Sequence, residues 1–299
     1  LHWKTKEGLV RGCSCRGTAG FAHVSCLAEQ AKILREEAEY NNLDIKVKNE
    51  RWDRWHACDL CEQNYHGVVL CALGWACWKT YVGRPEANWA RRSAMTMLGA
   101  GLSDAKRNEE ALSVKEAELA MDRRLGASEN DMLITQGNLA NEYQKLGQLE
   151  KALQMSRDVH SGWLRLNGEE HEKTLIAAEN YAIPLIRLER FEEAKMLLRK
   201  MVPVARRVLG ESHELTLRMR WDYARALYKD KGATLDDLRE SVTTLEDLDR
   251  TARRVLGGEH PLTRRVDYEL RLTRAALRAR EGDVESLRNA IETMPPGDA

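Results

Sequence analysis

Long apolar runs, net charge and phenylalanine are all scarce in this chain. The longest apolar stretch, Val68 to Trp78, has 11 residues, short of the roughly 18 that a membrane helix needs. The chain therefore reads as soluble and cytoplasmic, with no membrane partner. Its 47 basic residues balance its 47 acidic ones, so no overall field draws it toward nucleic acid or an anionic surface. With only two Phe and a predominance of Leu and Ala, the composition is helical. No glycine-rich phosphate loop, Ser/His/Asp set or paired carboxylates rise above the background of a charged helical sequence, and no residue is assigned a catalytic or cofactor-binding role. A signal-peptide pattern is also missing, and the sequence starts at Leu1, so it reads as a piece of a longer chain.

A repeat organises the remainder. The segment Arg165 to His171, with Gly168 inside it, returns as Val208-Leu209-Gly210-Glu211-Ser212-His213 and again as Val255-Leu256-Gly257-Gly258-Glu259-His260. A fainter copy lies at Leu125-Gly126-Ala127-Ser128-Glu129, so the glycines are spaced 42, 42 and 47 residues apart. Periods of that length indicate stacked helical hairpins. Ala152, Ala194 and Ser241 each stand sixteen residues before their glycine, where a small side chain lets two helices approach closely. The extra residues of the last period fall at Lys229 to Thr234, which should bulge from one edge of the stack. Residues 261 to 293 should form a final hairpin that caps it, and Met294 to Ala299 a frayed tail. Pro184 and Pro203 fall inside helices and should kink them or leave a carbonyl unbonded.

The runs Asn138-Leu139-Ala140-Asn141-Glu142-Tyr143 and Gly147 to Ala152, repeated at Asn180-Tyr181-Ala182 and Phe191 to Ala194, resemble the tetratricopeptide repeat. The period of 42 and the Leu-Gly-x-x-His turn are most similar to the kinesin-light-chain version. The resemblance covers roughly residues 94 to 290. It implies an all-α solenoid of helical hairpins whose concave face takes a protein or peptide ligand.

All seven cysteines lie before residue 78, which favours metal over disulfides. Cys13-Ser14-Cys15 is followed by His23-Val24-Ser25-Cys26 and, after an inserted helix with Leu27, Ala31, Leu34 and Ala38 at helical spacing, by Cys58-Asp59-Leu60-Cys61. Short Cys-x-Cys, His-x-x-Cys and Cys-x-x-Cys knuckles each present two ligands at a bite that suits tetrahedral zinc. Zinc would supply folding energy here, because the stretch has little apolar sequence of its own. Phe21 is expected to pack between the knuckles. Asn41 and Asn42 should end the inserted helix, and a helix from Val68 to Tyr81 should stop at Gly83-Arg84-Pro85, with Trp75 and Trp78 packed against the first repeat.

The ligand order, with Arg16-Gly17-Thr18 ahead of Phe21 and His23, resembles the RING-CH zinc domain over about residues 11 to 65. The resemblance implies that Cys13, Cys15, Cys58 and Cys61 share one zinc. It places His23 and Cys26 in a second site whose other cysteine pair is missing from residues 1 to 12. Three explanations are open: the pair lies upstream, His66, Cys71 or Cys77 replaces it, or the second zinc is lost. For Cys71 and Cys77 the plainer reading is that of small apolar residues on a buried helix.

The expected organisation is a RING-CH-like module over 1–67, a connecting helix and linker over 68–90, repeats over 91–293 and a tail over 294–299. RING-CH domains act as ubiquitin ligases by docking a conjugating enzyme, so the resemblance implies substrate recognition by the repeats and a ubiquitin-conjugating enzyme as second partner. Two departures weigh against catalysis. The aromatic expected after the His-x-x-Cys knuckle is replaced by Ala28-Glu29-Gln30-Ala31, and Glu62 and Gln63 follow the last knuckle in place of a basic residue. The alternative is a non-catalytic, kinesin-light-chain-like cargo adaptor with a structural zinc module.

The recurring His171, His213 and His260 each precede a helix and are expected to cap backbone groups or wedge between hairpins. The paired arginines Arg123-Arg124, Arg206-Arg207 and Arg253-Arg254 are expected to be exposed partners of nearby Glu.

Overall fold

The computed structural model describes residues 4 and 6–292, with side chains up to residue 282. The described residues contain twelve α-helices and no strand, only the isolated antiparallel bridges Val10↔Ala22 and Ala57↔Asn64. The chain divides into two compact units, Leu1–Gln148 and Leu149–Ala299.

In the first unit, α1 (Val24–Tyr40) and α2 (Ile45–Trp52) lead through a 3-10 turn at Asp53–Trp55 to α3 (Gly67–Tyr81), followed by α4 (Trp89–Asp104), α5 (Asn108–Leu125) and α6 (Glu129–Lys145). Asn41 caps the C-terminus of α1, and Asn42 takes the left-handed φ of 46°, which Asn tolerates well. Trp52, Trp55 and Tyr81 are buried together and joined by Trp89, with Trp52–Tyr81 centroids 5.3 Å apart and Trp52–Trp89 4.7 Å. The buried Arg35 adds its guanidinium over Trp89 and donates to Lys48 O at 2.8 Å, which ties α1 to this aromatic core.

The α3–α4 pair depends on glycine. A Cβ on Gly101 would lie 2.8 Å from both Cys71 Cα and Leu70 O, so the two backbones touch where a side chain would otherwise stand. Trp75 and Trp78 pack against the cluster of Cys71, Leu98, Leu102 and Ala111, as the sequence suggested.

The second unit runs α7 (Leu149–Asn167), α8 (Glu172–Arg187), α9 (Phe191–Leu209), α10 (Glu214–Lys229), α11 (Leu235–Leu256) and α12 (Pro261–Glu292). One core gathers Leu175, Leu185, Leu198, Met201, Met219 and Leu227; a second gathers Leu217, Leu245, Leu248, Leu262 and Val266. Ala194 and Ser241 are fully buried at the predicted close approaches.

The Gly-x-x-His marker has a conformational explanation. Gly210 and Gly257 end α9 and α11 at φ 92° and 86° with ψ near 160°, a region essentially restricted to glycine. Three residues on, His213 Nδ1 accepts from Leu215 N at 3.3 Å and His260 Nδ1 from Leu262 N at 3.3 Å, and His171 Nδ1 likewise accepts from Lys173 N at 3.1 Å. The glycine releases one helix and the histidine starts the next.

Two expectations need adjustment. Residues 261 to 292 form the single helix α12 instead of a hairpin; the only glycine there is Gly282, followed by Asp283 with no proline beside it, and an isolated glycine is tolerated inside a helix at modest cost. The tail at 294 to 299 lies outside the described residues. The longer last period is divided between a loop two residues longer than its counterpart and an α11 three residues longer than α9. Within that loop, Ala233 is buried and Thr234 forms a capping box with Asp237, so it is not a simple bulge. Both prolines sit in helices that continue past them, each depriving the carbonyl four residues earlier of its usual donor.

Candidate functional site

The loops before α1 and before α3 carry the knuckles, and backbone bonds fix their register. Val10 N donates to Ala22 O at 2.9 Å, Ala22 N to Val10 O at 3.0 Å, and His66 N to Gly12 O at 2.8 Å, which stitches the second loop to the first. The loops rest on the N-terminal half of α3 through Tyr65, Val69 and Leu73. Gly20, at φ 76°, lies where a Cβ would come within 2.6 Å of Cys15 Cβ and 2.9 Å of Cys13 Sγ. Glycine there leaves room for the sulfurs.

Cys13, Cys15, Cys58 and Cys61 converge, with every Sγ within 4.8 Å of the others and Cys15 Sγ 3.8 Å from Cys58 Sγ. Four sulfurs about 2.3 Å from a central zinc, at tetrahedral angles, stand roughly 3.8 Å apart. The donor set and the spacing therefore fit the ion, and no cysteine belongs to a disulfide.

The electrostatics of the cluster favour thiolates at one position first. Burial raises the Cys58 thiol, but the backbone N–H groups of Cys61 and Leu60 aimed at its sulfur, together with the neighbouring Cys13 and Cys15 thiols, outweigh that and bring it down to about 7. Cys15 is pushed up to about 12 by burial and by sharing its neighbours' sulfurs, and Cys13 is raised as well, by burial first. Four thiols cannot all ionise together without a cation among them. Arg54 pairs with Asp59 at 2.8 Å inside the third knuckle.

His23 and Cys26 stand apart from this quartet, with His23 Nδ1 and Cys26 Sγ 3.8 Å from each other at the start of α1. Among the described residues no third ligand joins them. Cys71 and Cys77 are buried in α3, and His66 is exposed ahead of it. Phe21 corrects another expectation. It is 47% exposed under the Arg11 guanidinium, 4.7 Å from its ring centroid, because Tyr65, Val69 and Leu73 already fill the space beneath the knuckles.

The helices carry a second class of feature that sequence reasoning missed, namely buried charge. Glu142, Glu179, Asp222, Asp122, Glu118 and Glu269 are all buried. Glu179 takes Arg218 at 2.6 Å and Asp222 takes Arg225 at 2.9 Å, yet burial still raises both carboxyls, Asp222 to about 7. The paired arginines behave as expected: Arg124 meets Glu86, Arg207 meets Glu170, and Arg253 meets Asp249 and Asp267.

Comparison with known proteins places the repeats. A family model described as tetratricopeptide repeat matches residues 131–200. No curated protein matches in sequence. Among solved structures, a Podosopora anserina protein described as a kinesin light chain with nearly identical TPR-like repeats superposes at TM-score 0.50 and 21% identity, covering 78% of this chain and 97% of that one. A single-substitution form of it gives 0.51 and 20% over the same shares. BtubC of P. vanneervenii covers 93% of this chain and 96% of its own, at 13% identity and TM-score 0.46. The chain thus has a tetratricopeptide-type fold. No helix among the described residues is long and apolar enough to cross a membrane.

Proposed function

We propose that this chain is a protein–protein interaction scaffold whose tetratricopeptide helices bind partner peptides and whose N-terminal loops form a structural zinc module. The repeat match over 131–200 supports the first part, since stacked helical hairpins expose long grooves suited to extended or helical peptides. The four converging cysteines support the second. Cys13, Cys15, Cys58 and Cys61 would hold the ion, whose chemistry here is to fix two loops that have little core of their own. His23 and Cys26 find no third ligand among the described residues, so the proposed module rests on the one four-cysteine site.

The sharper reading is the substrate-recognition part of a RING-CH-type ubiquitin ligase, acting by docking a conjugating enzyme with no nucleophile or base of its own. It is supported by the pairing of the first knuckle with the third, the cross-braced order that the RING-CH resemblance implies. The exposed Glu62 and Gln63 after the last knuckle favour the second reading, a non-catalytic adaptor. A ubiquitin-transfer assay on the full-length protein with a broad panel of conjugating enzymes decides between them. Self-modification lost on Cys58→Ser supports the ligase; no transfer with any enzyme leaves the adaptor.

A further inference from the structure

A polar cavity of about 190 Å³ opens on the first unit between α4, α5 and α6, lined by Trp89, Arg92, Thr96, Glu118, Asp131 and Ile134 among others. Its rim is accessible: Trp89 is 46% exposed, Ile134 42% and Asp131 45%. Three carboxylates, Glu118, Asp122 and Asp131, face one cation, Arg92, which Asp122 engages at 2.8 Å and Asp131 at 3.9 Å.

Glu118 is distinctive. Asp122, Glu142, Glu179, Asp222 and Glu269 are equally buried, and each has a Lys or Arg nitrogen within 4.0 Å. Glu118, only 6% exposed, has none; one oxygen accepts from Thr96 Oγ1, and no donor reaches the other. The nearest basic side chains, Lys115 and Arg92, are committed to Glu142 and Asp122. Burial without a counter-ion raises the Glu118 carboxyl. Such a group is costly to keep ionised until a cation arrives.

The geometry points to a socket for one basic side chain, a Lys or Arg carried by a partner peptide lying across α4 and α6, with Glu118 at its floor and Asp131 at its rim. This inference rests on the scaffold reading above. The carboxylates do not gather closely enough to be metal ligands, since the cysteine quartet is the only such group among the described residues. The cavity is also far too small for a nucleotide. A guanidinium or ammonium entering it would meet the unused Glu118 oxygen, and Trp89 and Ile134 would cover its aliphatic stem.

The test pans a random peptide library against the full chain and titrates the selected peptides, synthesised individually. The expected result is a shared Lys or Arg. Its replacement by norleucine should weaken binding about tenfold, as expected for losing one charge-assisted hydrogen bond. Glu118→Gln should cause the same loss, and norleucine should then cost nothing more. Gln still accepts from Thr96, and a thermal melt checks that the variant is folded. Asp131→Asn, an exposed change that does not disturb packing, should shift affinity in the same direction. Binders with no basic anchor, or equal affinity for wild type and Glu118→Gln, would overturn the socket and leave the scaffold reading standing. No binder at all would overturn both.

Discussion

Two glycines two residues apart on α4 have opposite roles. A Cβ at Gly99 would approach side chains alone, Lys115 at 3.3 Å and Val114 at 3.5 Å, whereas at Gly101 it would strike the α3 backbone at 2.8 Å. Alanine improves helix propensity by about 1 kcal/mol at either position, but overpacking against a backbone costs roughly 1–3 kcal/mol. Gly101→Ala should therefore lower the melting temperature and Gly99→Ala should leave it unchanged or raise it.

Asp222 yields a pH prediction. Its folded pKa of about 7 lies above the ordinary 3.8, so the folded chain holds the proton more tightly. The stability it contributes is full below about pH 4 and lost as pH rises to about 7, by up to about 4 kcal/mol. Asp222→Asn should match wild type near pH 4 and exceed it at pH 8, with Arg225 still held near Glu269, 3.7 Å away. Equal melting curves at pH 8 would refute this. Neither residue's role was legible in the sequence, because a backbone contact and a buried charge depend on elements far apart in the chain.

At the scale of elements, the repeat markers were legible because they are local. A glycine at positive φ and a histidine three residues later act on their own neighbours, so their recurrence exposes helix ends directly. His213→Ala should lose about 1 kcal/mol by removing the acceptor for Leu215 N, and His213→Asp should restore it; urea titration of the three proteins checks the order. The last element was misread for a related reason: α12 carries a single internal glycine, and only tertiary packing decides whether such a chain turns. Trp52 and Trp55 stand at the end of the charged stretch that leads to Cys58. Their partner Tyr81 comes from a different helix, so the aromatic core became visible only in three dimensions.

The molecule combines two ways of stabilising a chain. Residues from Leu149 onward bury continuous Leu, Met and Ala cores between helices. The knuckle loops have no such supply: beneath them lie Tyr65, Val69 and Leu73, and above them four thiols that repel one another once ionised. The convergence of the four cysteines could be expected from sequence because each pair is closely spaced along the chain. The bridging backbone bonds and Gly20 beside the sulfurs could not, being set by how the loops meet. An ion at the quartet is therefore the central claim for the first unit. Elemental analysis of the purified protein and of Cys58→Ser tests it most directly. The account predicts zinc in the wild-type chain, with about one equivalent lost on Cys58→Ser while the helical signal of the repeats persists; wild-type protein free of metal, or a variant that retains all of it, would contradict the account.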